Sequence, residues 1–155
     1  MTLDIELTED GWFGGLPNSQ VQTIEALLKA GQTEEQIAEF WLSQTGASTT
    51  SGFGAGGAIQ KYFENVKSEF VALVCGNGKY NEEREKAKII WQEHGKIALV
   101  SYVSFVIAQN VDLSNAALVP IIALLFSLAA KISVNAFCKT CVIENVDKPD
   151  SPNSA

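Results

Sequence analysis

Basic side chains are scarce in this 155-residue chain, where 11 lysines and arginines stand against 18 aspartates and glutamates for a net charge of −7. So few cations cannot line a phosphate backbone, which rules against nucleic acid as a partner and removes long-range attraction to an anionic bilayer. Histidine occurs once, as His94, with no serine or cysteine nucleophile at diagnostic spacing and no motif-linked acid, so an enzyme is not expected. Cysteine occurs three times, at Cys75, Cys138 and Cys141. An odd count, in a sequence whose first residues show no basic stretch followed by an apolar run, leads us to expect reduced thiols and a cytoplasmic protein.

What the chain has instead is apolar sequence, gathered in its C-terminal half. Between Ile97 and Cys138 the ionic residues are Asp112 and Lys131 alone. The pattern predicts an all-α fold of about five helices, a bundle around this C-terminal hydrophobic helical hairpin. Residues 1–18 read as an N-terminal arm that ends in a turn-rich segment carrying Trp12 and Phe13. Residues 19–45 read as a helical pair, opened by capping boxes at Ser19 to Gln22 and Thr33 to Gln36 and divided by Gly31. A glycine- and hydroxyl-rich connector, 46–57, leads to the bundle, 58–142, and residues 143–155 form a polar, proline-bearing tail expected to be disordered.

Within the bundle, Phe63, Val66, Phe70 and Leu73 give the third helix one apolar stripe. The fourth helix is read from Asn81 through Gly95 to Ala108, becoming apolar all round after Gly95, and the fifth from the turn at 109–115 to about Phe137. Two readings of the hairpin follow. Either it is the core that the amphipathic helices wrap, or it leaves them to enter a membrane as the hairpins of pore-forming toxin domains do, an analogy of architecture with no residue match. The run from Ala116 to Cys138 has the length of a span, about 20 residues, whereas Ile97 to Ala108 is nearer the 10 to 14 of a buried helix. Lys131 at mid-bilayer costs about 2.5–3.5 kcal/mol, which snorkelling can reduce. Pro120 removes a hydrogen bond if the helix begins at Ser114 and none if it begins near Val119.

Cys138 and Cys141 are spaced as half of a zinc site, and Cys75 with His94 completes a weak candidate set, but no second closely spaced pair supports it, so no metal and no cofactor are expected. Gly52, Gly54 and Gly57 match a dinucleotide-loop spacing without the strand that should precede it. The helical pair resembles a helix-turn-helix only in spacing, since its second helix would present Glu34, Glu35 and Glu39 to phosphate. The expected function is therefore non-enzymatic: docking to a protein partner or to a second copy, with a pore-forming or membrane-inserting effector as the alternative. The residues expected to carry it are Phe105, Ile107, Pro120, Leu125, Phe126 and Lys131 of the hairpin, with Trp12, Phe13, Phe40 and Trp41 as docking aromatics.

Overall fold

Backbone geometry at a few positions sets where the helices begin and end. The computed structural model describes residues 3, 11–44, 55–76, 79–111 and 113–139, and over these residues the chain is all-α without a strand. In order come α1 (Asn18–Lys29), α2 (Glu34–Gln44), α3 (Ala55–Cys75), α4 (Asn81–His94), α5 (Lys96–Ala108) and α6 (Asn115–Ile132). A short α7 is described over 134–139.

The expected five helices become seven because two of them break. Gly95, at φ +87°, ends α4 by turning its N–H back to the Ile90 and Trp91 carbonyls, and its own carbonyl accepts from Leu99 to open α5. Ser133, at φ +92°, ends α6, and its hydroxyl accepts from the Ala136 N–H to open α7. The Thr33–Gln36 box forms in both directions, at 2.9 and 3.1 Å. The Ser19–Gln22 box does not. Pro17, with its fixed φ, takes the N-cap position instead, so Ser19 lies inside α1 and its carbonyl accepts from the Thr23 hydroxyl. The bundle begins three residues before the expected Ala58, at Ala55, while most of the connector, including Gly52 and Gly54, and the whole 143–155 tail lie outside the described residues.

α6 is the axis of the fold. Leu118 and the run from Ile121 to Phe126 are fully buried, because α2 packs on one side of α6 and α5 on another. Pro120 sits within α6 and is buried as well; the helix starts at Asn115, so the missing N–H leaves the Ala116 carbonyl without its intrahelical donor. α4 packs on α5, and α3 on α2, whereas α1 meets chiefly α2. From the arm, Leu3 is buried and donates its N–H to the Val74 carbonyl at 2.6 Å.

Two polar devices hold helix ends. Arg84 is buried and donates to the Leu73 (2.6 Å), Ala72 (3.1 Å) and Lys79 (2.7 Å) carbonyls and to Asn81 Oδ1 (2.9 Å), so a cation satisfies the C-terminal end of α3. Glu34, expected on the surface, is buried with 4% exposure and pairs with Lys131, an acid in the first turn of α2 meeting a base in the last turn of α6. Glu35 pairs with Lys67 and ties α2 to α3.

Candidate functional site

The arm reaches the hairpin through a glycine turn. Gly11 has φ +88°, a conformation that L side chains rarely adopt, and the chain then folds back with the Leu16 N–H donating to the Phe13 carbonyl at 3.0 Å. This turn drives Trp12 into the interior. Its ring lies parallel to Phe126, 4.8 Å between centroids, and to Trp91, 5.9 Å, with the Lys96 ammonium 5.3 Å from the ring centroid. At Gly15 a Cβ would come within 2.9 Å of Ile97 Cγ2, so a larger residue there would have to push the Ile97 side chain aside.

α5 turns most of its surface inward. Leu99, Val100, Val103, Val106 and Ile107 are buried, and the buried Ser104 hydroxyl donates to the Val100 carbonyl at 2.7 Å. Outward, at successive spacings of four, point Ile97 (51% exposed), Ser101 and Phe105 (54%). Among the described residues Phe40, Ile89 and Ile132 are the other exposed large apolar side chains, each the one such residue on its helix, so α5 alone carries two on a single face. That face has no ionic group of its own. A recess of about 20 Å³ between Trp12, Leu16, Ile97, Ser101 and Val119 continues it toward the arm and α6.

No family model, curated protein or solved structure matches the chain. Function rests on the surface itself. Of the expected hairpin residues, Ile107, Pro120, Leu125 and Phe126 are core, Lys131 is partly exposed and paired with Glu34, and Phe105 reaches solvent. Of the expected docking aromatics, Trp12 is a plug within the fold and Phe13 packs partly against the core. Phe40 remains 42% exposed beside the half-buried Trp41, edge-on at 6.1 Å.

The candidate metal set does not assemble. Cys75 and Cys138 do meet, but as a disulfide with Cα atoms 5.5 Å apart, which corrects the expectation of free thiols. His94 lies exposed at the end of α4 beside Glu93, and Cys141 is outside the described residues. Among the described residues no group of His, Cys, Asp and Glu is arranged to hold a metal ion. The strongest titration effects belong to tyrosines. Burial first, and then the Glu69 carboxylate that accepts its hydrogen bond, hold the Tyr80 hydroxyl well above the ordinary tyrosine range, and burial followed by the Glu83 charge raises Tyr102.

Sequence reasoning missed Ile97, Gly15, Glu34 and Arg84. For Ile97 a signal was present, because Ser101 interrupts an apolar helix midway between Ile97 and Phe105 and so marks the side that faces water. Nothing in the sequence distinguishes Glu34 from its exposed neighbours.

Proposed function

We propose that this is a non-enzymatic helical interaction protein that docks to a protein partner, or to a second copy, through the outer face of α5. The observation that carries the reading is the pairing of exposed Ile97 and Phe105 across Ser101, on a helix whose other residues are buried or half-buried. Apolar side chains two turns apart on an uncharged face suit a partner helix laid along them, with hydrophobic contact supplying affinity and no charge to match. Phe40 and Trp41 on α2 offer a smaller second contact.

The test is sedimentation over a wide concentration range, alone and with candidate partners, on the native chain and on Phe105→Asp, with Ile132→Asp as an exposed control on α6. Docking through α5 is expected to be lost in Phe105→Asp and kept in Ile132→Asp. A chain that neither self-associates nor binds, or association that Phe105→Asp leaves intact, overturns the reading.

Insertion into a membrane is the second reading, favoured by the 18 residues of α6, a helix long and apolar enough to cross a bilayer, although just over half of it is interior to the fold. It predicts flotation with liposomes that rises when the arm is removed. We place the protein in the cytoplasm, with the cytoplasmic membrane as the alternative; the cysteines no longer support that placement, because two of the three are joined.

A further inference from the structure

We propose that the Cys75–Cys138 disulfide is a reducible latch, a redox-sensitive switch that docks α7 against the end of α3 when oxidised and releases it when reduced, with the rest of the fold retained. The two ends of the bond are held very differently. On the Cys75 side, α3 is secured without it: Arg84 caps the Ala72 and Leu73 carbonyls, Leu3 bonds the Val74 carbonyl, and the run from Phe70 to Val74 is buried. On the Cys138 side the described helix is only six residues long. α7 departs from α6 at Ser133, after the Lys131–Glu34 pair has already fixed the last turn of α6. Its buried side chains are Val134, Phe137 and Cys138 itself, with the Phe137 ring edge-on to Phe70 at 5.8 Å.

Without the covalent link, Val134 and Phe137 are the buried apolar side chains that this short helix sets against the entropy gained by letting it go. Opening is therefore local and falls on the α7 side. Both cysteines are nearly buried, at 8% and 6% exposure, so a reductant reaches the sulfurs only as α7 lifts, and the redox state and the docked state are linked. One thiolate of a dithiol reductant attacks a sulfur of the bond and forms a mixed disulfide. The second thiolate of the same reductant then displaces the remaining cysteine. Two electrons pass to the protein, both cysteines take protons from solvent, and the reductant leaves as its cyclic disulfide. Release uncovers Phe70, Val134 and Phe137, an apolar surface that only the reduced protein presents. The proposal is independent of the α5 face.

Hydrogen exchange read by mass spectrometry tests it on the full chain carrying Cys141→Ser, which leaves one cysteine pair to titrate. In native buffer, millimolar dithiothreitol is expected to reduce the pair. Amides of 134–139 are expected to exchange faster by about tenfold or more while those of α2 to α6 and the helical circular dichroism stay as they were. A bond that resists the reagent until denaturant unfolds the chain, an α7 equally protected in both forms, or wholesale unfolding on reduction would each overturn the latch. Phe137→Ala in the oxidised protein supplies the complementary reading: exchange at 134–139 is expected to stay slow there and to rise beyond the native level once the bond is reduced.

Discussion

Trp12 has two aromatic rings stacked with it and a cation at close range, so it acts as the fastener of the arm. Trp12→Ala should cost about 3–5 kcal/mol in urea unfolding, the range for a buried large-to-small change, and should free the arm to proteolysis before the bundle opens. Tyr80 makes a prediction of a different kind. Its hydroxyl keeps its proton in the folded chain after an unfolded tyrosine, near 10, has lost it. The folded state then binds more protons, so stability is full below about pH 10 and falls as pH rises beyond it. Tyr102 contributes with the same sign, and Tyr80→Phe is expected to flatten part of the alkaline slope in thermal melts. Both tyrosine shifts come from what surrounds each side chain in space, and neither tyrosine is distinguished from other aromatics in the linear sequence.

Among the elements, the apolar stripe of α3 and the Thr33–Gln36 box were legible, because each is a local pattern with period near 3.6 or a fixed offset of three. The breaks at Gly95 and Ser133 were not. Gly95 lies in a stretch whose composition suits a helix on both sides, and only the packing of α4 back onto α5 requires the chain to turn there. The outward face of α5 was half legible, since an all-round apolar helix conceals which side the bundle leaves open. At Gly95 a Cβ meets nothing within 4 Å, so Gly95→Ala tests backbone conformation alone. We expect a loss of about 1–2 kcal/mol from the positive φ, with the contacts of α4 and α5 otherwise kept, measurable by chemical denaturation.

The molecule as a whole is held by one covalent link between residues 63 apart in sequence, enclosing α4, α5 and α6. Closing a loop of that size restricts the unfolded chain by about 4 kcal/mol, so Cys75→Ser with Cys138→Ser should lower the unfolding free energy by roughly that amount and the melting temperature by about 10 °C. Counting cysteines misjudged this link because pairing depends on which helix ends the fold brings together, and Arg84 and Ser133, which set those ends, carry no cysteine signal. The arm's seating also gives the molecule an optical signature. Two indoles held in fixed contact at 5.9 Å sit in an asymmetric surrounding, so the docked chain should show aromatic bands in its near-ultraviolet dichroism. Those bands belong to no single helix: they vanish when the arm lifts, even if every helix remains wound, and so report on closure without any label.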